Sequence, residues 1–166
     1  MSTNLVLRDD VRESDEARVR ELVRSSGFFT PEEQEIAVEL VHERRVRGER
    51  ESGYSFVFLD DGPTAVAYAC FGRIPMTASS YDLYWIVTDD ARRGRGLGRR
   101  LLREVERRVA RAGGGRIYVE TSSRAQYDPT RAFYENTGYT RAAYFEGFYR
   151  EGDGKIVYVK RVPAAP

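Results

Sequence analysis

Cysteine is nearly absent from this chain: Cys70 is the only one in 166 residues, which excludes an intrachain disulfide framework. Histidine is as scarce, with His42 alone, and no His/Cys/Asp cluster falls at ligand spacing, so no metal site is expected. Cys70, inside AYACF, reads as a core residue, and His42, on a helical pattern, reads as surface. An excess of one charge is missing too. The 27 Lys and Arg against 26 Asp and Glu leave +1, which does not describe a nucleic-acid binder. No apolar run approaches bilayer-spanning length, and the opening MSTNLVLRDD has no basic stretch leading into an apolar one. A cytoplasmic protein that uses neither membrane nor nucleic acid is expected.

Hydrophobic content of 41% beside 32% charged residues fits a globular core. One domain over 1–166 is expected, with VPAAP (162–166) as a loose tail. A weak strand at 4–7 precedes a helix capped by Ser14, carrying Val19, Leu22 and Val23 on one face. TPEE then supplies a capping box, with Thr30 as cap, Pro31 at the first helical position and Glu33 three residues on. Ile36, Ala37, Leu40 and Val41 continue as an apolar stripe that Gly48 ends. YSFVFL and TAVAYACF, joined by DDGP, read as a hairpin, and YDLYWIVT as a further strand. A helix with Leu97, Leu101, Val105 and Val109 in line ends at Gly113–Gly115, before the strand RIYVET. Asp128 as cap and Pro129 at the first helical position begin a short helix that stops at Gly138; two strands, at 142–149 and 156–159, follow. The expected fold is a mixed, mainly antiparallel sheet of six to seven strands with about four helices on both faces.

Between YDLYWIVT and its helix lies RRGRGLGRR, in which Gly94, Gly96 and Gly98 alternate with arginines and Leu97. A bare backbone running into a helix start presents unpaired N–H groups, an arrangement suited to phosphate. A dinucleotide fingerprint would place its third glycine one residue later, and a P-loop needs G-K-[ST]. What remains is R-x-x-G-x-G, matched by Arg93, Gly96 and Gly98. With TRAFYENTGY some three dozen residues on, this segment resembles the GNAT superfamily of acyl-CoA-dependent N-acyltransferases, and the likeness extends from Leu5 to Arg161.

The resemblance implies an enzyme that moves an acetyl or other short acyl group from acyl-CoA to a primary amine, in a ternary complex and without metal. Backbone amides of Arg93, Gly94, Arg95, Gly96, Leu97 and Gly98, with Arg99 following, would hold the CoA pyrophosphate, and Arg100 or Arg103 is placed to reach the 3′-phosphate. Main-chain groups of Ile86, Val87 and Thr88 would pair with the pantetheine arm, which requires the sheet to splay between the WIVT and RIYVET strands. Tyr134, from the FY pair, corresponds to the acid that protonates the departing thiolate. Where many relatives carry an asparagine to hold pantetheine, this chain has Tyr127.

For the base, Glu120 and Asp82 both remain candidates, with Glu120 placed first. Phe28, Phe29, Tyr84, Tyr144 and Phe148 would line the acceptor cleft, together with Phe145, Tyr149 and Glu146. That lining suits a small amine with an apolar part; a protein amine would want a more open groove. A catalytically silent module that binds acyl-CoA is the alternative, and a monomer or homodimer is expected either way.

Overall fold

The computed structural model describes residues 4–166. Its elements follow as β1 (Leu5–Arg8), α1 (Ser14–Ser25), α2 (Pro31–Ser52), β2 (Ser55–Asp61), β3 (Thr64–Arg73), β4 (Ser80–Thr88), α3 (Leu97–Arg111), β5 (Gly115–Ser122), α4 (Asp128–Asn136), β6 (Thr140–Arg150) and β7 (Asp153–Val162). The seven strands lie in the order β1-β2-β3-β4-β5-β7-β6. Hairpin-linked neighbours pair antiparallel and β4 pairs with β5 in parallel, so the mixed sheet and the four helices match expectation. The chain forms two compact units: residues up to Gly72 with Trp85–Val105, and Arg73–Tyr84 with Glu106–Pro166.

In the first unit the alternation of β2 aims Phe56 and Phe58 at α1 and α2. There they meet Val19, Leu22, Val23, Ala37, Val38 and Val41, with Tyr68, Cys70 and Val87 from the neighbouring strands. Phe56, Phe58 and Tyr68 stack with centroids 5.7–6.2 Å apart. β1 is tied in by a buried ion cluster. Arg8 donates to Asp15 at 2.8 and 2.9 Å and to Asp60 at 2.8 and 3.2 Å. Buried charges of this kind persist only when paired, and here a guanidinium fork serves two carboxylates.

Three helix expectations change in this unit. Ser14 is the first residue of α1 and not its cap; Glu13 holds the cap position in helical dihedrals, and Asp15 accepts from Arg12 N–H at 2.7 Å instead. The Thr30–Glu33 capping box is present, yet α2 runs past Gly48, which kinks it at φ 78°, ψ 170°, and ends only at Gly53. Ile36, placed on the apolar stripe, is 50% exposed, because the face that packs is Ala37, Val38 and Val41.

In the second unit β5 pairs along its whole length with β7, Ile117 opposite Lys160, Val119 opposite Tyr158 and Thr121 opposite Ile156. Directly opposed residues share a face. Ile117, Val119, Ile156 and Tyr158 are accordingly buried with Tyr134 and Tyr139. β6 and β7 extend beyond the expected 142–149 and 156–159. Asp128 does not cap α4: a 3-10 turn, Ala125–Tyr127, leads directly into the helix, Tyr127 takes the cap position and Pro129 sits in the first turn. The tail is shorter and more restrained than expected, since Val162 completes β7 and Ala165 N–H donates to Ala110 O at 2.9 Å.

Candidate functional site

The glycine loop is launched from a fixed point. Asp89 N–H donates to Val66 O at 2.8 Å, while its carboxylate accepts from Ala91 N at 3.1 Å and Arg18 Nη2 at 2.7 Å. A 3-10 turn, Asp90–Arg92, follows, and Gly94 and Gly96 then adopt φ of 74° and 75°. A Cβ at either position would meet nothing within 4 Å, so glycine is required here by the backbone dihedral, and the space beside the loop is open to a ligand. Buried Leu97 anchors the start of α3. Arg100 N–H donates to Gly96 O at 3.0 Å, as the helical pattern begins. The amides of Leu97, Gly98 and Arg99 precede it in the first turn, where no intrahelical acceptor exists and no acidic side chain competes.

The arginines of this segment differ in what they are free to do. Arg93 is engaged: Nε lies 2.9 Å from Asp90 Oδ1, Nη2 donates to Ser26 O at 3.0 Å, and the guanidinium lies 5.2 Å from the Phe28 ring centroid. Its side chain ties the loop to Asp90 and Ser26, and its own N–H donates to Asp90 O at 3.3 Å. Arg100 donates to Leu5 O at 3.0 Å, while Arg95, Arg99 and Arg103 are exposed. On β4, Val87 is buried in the core of this unit and holds the strand, with Ile86 and Thr88 half-buried on either side. Phe29, expected in the acceptor wall, packs edge-on against Trp85 at 4.8 Å and partly closes that core.

In the second unit, Tyr134 is 4% exposed on α4. Its ring lies among Phe133, Tyr139 and Tyr158, with centroids at 5.3, 5.6 and 6.0 Å. Burial pushes its hydroxyl well above the usual phenol range, so it holds its proton at neutral pH. Tyr127 sits at the start of the same helix, under the Arg124 guanidinium at 5.8 Å.

The two candidate bases lie on the other face of these strands. The parallel register of β4 with β5 covers Ser80↔Arg116, Tyr81↔Ile117 and Asp82↔Tyr118, although β4 continues to Thr88 and β5 to Ser122. Asp82 therefore stands where the pairing ends, on the face shared by Tyr118 and Glu120. Burial raises its carboxyl, the Glu120 charge raises it further, and Lys155 opposes both. Glu120 is 53% exposed in its side chain, with Oε1 3.2 Å from Lys155 Nζ.

Lys155 is a residue that the motif-based reading passed over. Its ammonium is 3.9 Å from the Phe148 ring centroid and 5.4 Å from that of Phe145. A signal was available: Lys155 and Lys160 are the only lysines in a chain whose remaining strong cations are all arginine. The pairing of β6 with β7 breaks between Phe145 and Arg150, which frees the intervening residues to bulge. Tyr84, Tyr144, Phe148 and Tyr149 are exposed, as an acceptor wall would need, though Phe148 is already engaged beneath Lys155. Cys70 is fully buried and His42 exposed beside Glu16. Among the described residues no group of His, Cys, Asp or Glu could hold a metal, and no helix is long and apolar enough to cross a membrane.

The sequence profile of the acetyltransferase (GNAT) family matches residues 17–139. A similar protein is the N-alpha-acetyltransferase RimI of Mycobacterium tuberculosis, 33% identical over 112 residues that make up 67% of this chain and 68% of that one. Among solved structures, an acetyltransferase of the GNAT family from Desulfovibrio desulfuricans is 44% identical, with a TM-score of 0.93 over 95% of this chain and 99% of its own. An aminoglycoside 6′-N-acetyltransferase complexed with coenzyme A shares the fold at 21% identity, with a TM-score of 0.76 over 97% and 99% of the two chains.

Proposed function

Because this chain belongs to the acetyltransferase (GNAT) family, we propose that it moves an acetyl group from acetyl-CoA directly onto a primary amine while both are bound. The observation that carries this reading is the loop through Gly94 and Gly96, left-handed, open, and leading into a helical first turn whose amides have no intrahelical acceptor. The residues present fit the CoA pyrophosphate: Gly94, Arg95, Gly96, Leu97, Gly98 and Arg99 follow Arg93 as main-chain donors, Arg93 N–H itself being bonded to Asp90 O at 3.3 Å, and arginine side chains lie alongside. Ile86, Val87 and Thr88 offer a strand backbone for the pantetheine arm, and Tyr127, where many relatives carry an asparagine, would help to hold it. Acetyl-CoA supplies the activated thioester.

Three tasks are left to the chain. Asp82 or Glu120 takes a proton from the substrate ammonium. A main-chain N–H near Val87 faces the oxygen that becomes anionic as nitrogen adds to the carbonyl. Tyr134 gives its proton to sulfur as the C–S bond breaks. A covalent acyl-enzyme has little support, since the one thiol, Cys70, is fully buried and burial raises it well above the ordinary range.

The acceptor in this reading is a small primary amine received beside the exposed aromatics Tyr84, Tyr144 and Phe148. The relatives act, by their names, on α-amines or aminoglycosides. The test is therefore a panel of kanamycin, spermidine, free amino acids and a peptide beginning with alanine, incubated with acetyl-CoA while free thiol is followed. Amine-dependent thiol release supports the proposal. Tight acetyl-CoA binding without acetylation of any amine would leave a silent binding module, and failure to bind acetyl-CoA would overturn both.

A further inference from the structure

We propose that Lys155 is a positioning residue that occupies Glu120 and thereby leaves Asp82 as the carboxylate that takes the proton from the amine. The inference rests on the acetyl-transfer reading above and on a row of groups across three strands. Asp82 on β4, Glu120 on β5 and Lys155 on β7 share one face: Asp82 is level with Tyr118, two residues before Glu120, and Lys155 is level with Ser122, two residues after it. Diagonal neighbours at that spacing remain within reach of long side chains.

Lys155 is held from two sides. Its side chain is 14% exposed, Nζ contacts Glu120 Oε1 at 3.2 Å, and the Phe148 and Phe145 rings lie against it at 3.9 and 5.4 Å. An ammonium seated against aromatic rings has lost much of its water, which strengthens its hold on the carboxylate beside it. Glu120 then has an oxygen committed to a fixed cation, whereas Asp82, half-buried at the last pair of the β4–β5 register, has no such ion pair of its own among the described residues. The charged groups acting on Asp82 are Glu120 from β5, which makes its proton harder to lose, and Lys155 from β7, which makes it easier. The cation thus opposes the rise that burial and the Glu120 charge impose on Asp82. The bulge after Phe145 gains a purpose as well, since it brings Phe148 beneath the ammonium.

The two neighbours of Asp82 should act in opposite directions. Lys155→Met is expected to move the acidic limb of kcat/KM to higher pH, with a roughly tenfold loss on the acid side for each unit moved, recovered at high pH. Glu120→Gln is expected to move the same limb to lower pH, because it removes a negative charge and frees Lys155 for Asp82. Lys155→Arg should restore most of the wild-type profile, and acetyl-CoA affinity should stay constant throughout. The measurement uses the panel amine that turns over fastest, with thermal unfolding as a check and Lys155→Gln as the substitute if the methionine variant does not fold. If Asp82→Asn abolishes the limb but the Lys155 variants leave it in place, the role of Lys155 is wrong and the acetyl-transfer reading stands. If Glu120→Gln abolishes the limb and Asp82→Asn does not, the assignment is reversed. If wild type neither binds acetyl-CoA nor acetylates an amine, the underlying reading has failed first.

Discussion

Tyr134 carries a phenol whose proton is held by its surroundings: the ring is enclosed by Phe133, Tyr139 and Tyr158, and burial disfavours the phenolate. In the proposed acetyl transfer such a group would act only late, when a thiolate leaves and can take that proton. Its hydroxyl should therefore count in the transition state and hardly in substrate binding. Tyr134→Phe keeps the ring and its packing. Turnover should fall roughly 10- to 1000-fold with acetyl-CoA affinity unchanged, measured as thiol release and by calorimetry on one preparation. Intact turnover would make Tyr134 a packing residue. The short helix that carries Tyr134 was legible in the sequence, whereas the placing of Lys155 beside Glu120 was not, because the two lie 35 positions apart.

At the scale of elements, two glycines make different demands. Gly96 sits at φ 75° with open space around it, so a side chain there strains the backbone and fills the place proposed for the pyrophosphate. Gly96→Val should weaken acetyl-CoA binding at least about tenfold, or about 1.4 kcal/mol. Gly62, at φ 61° and also with nothing within 4 Å, supplies the control. Gly62→Val should lower thermal stability in a similar way but leave acetyl-CoA affinity alone. Equal losses of affinity in both variants would mean that backbone strain, and not the cradle, is being measured. Gly115 is constrained by contact instead: at φ 156°, a Cβ would overlap the Ser79 carbonyl oxygen, where β5 begins beside β4. Gly115→Ala should cost about 3 kcal/mol or more in urea unfolding, as overpacking against an immovable backbone does. A loss below about 1 kcal/mol would show that the two strands can separate there without penalty.

Across the whole molecule, a ligand that binds only the folded chain adds to its stability. At 100 times its dissociation constant, acetyl-CoA should contribute about 2.7 kcal/mol, which for a chain of this size raises Tm by roughly 5 to 10 °C. Gly96→Val should lose most of that rise at the same concentration, and Tyr134→Phe should keep it. Calorimetric scans with and without acetyl-CoA check both. A Tm that does not respond to acetyl-CoA would contradict the proposed co-substrate itself.

The sequence alone determined the number and order of the helices and strands, the capping box at Thr30, the hairpin at Gly62 and the glycine loop before α3. Each depends on propensities, periodicity or turn chemistry that act within a few residues. Local signals were also where it erred by small amounts. Ser14 resembles a cap but is the first residue of α1, and Gly48 kinks α2, which resumes beyond it and ends at Gly53. Only the tertiary structure decided that Asp82 stands opposite Tyr118 at the end of a parallel register. It alone decided that Glu120 and Lys155 share that face, and that Phe148 lies beneath an ammonium instead of standing free in a wall. These outcomes depend on which strands pair and in what register, and a shift of one residue would carry every side chain to the opposite face.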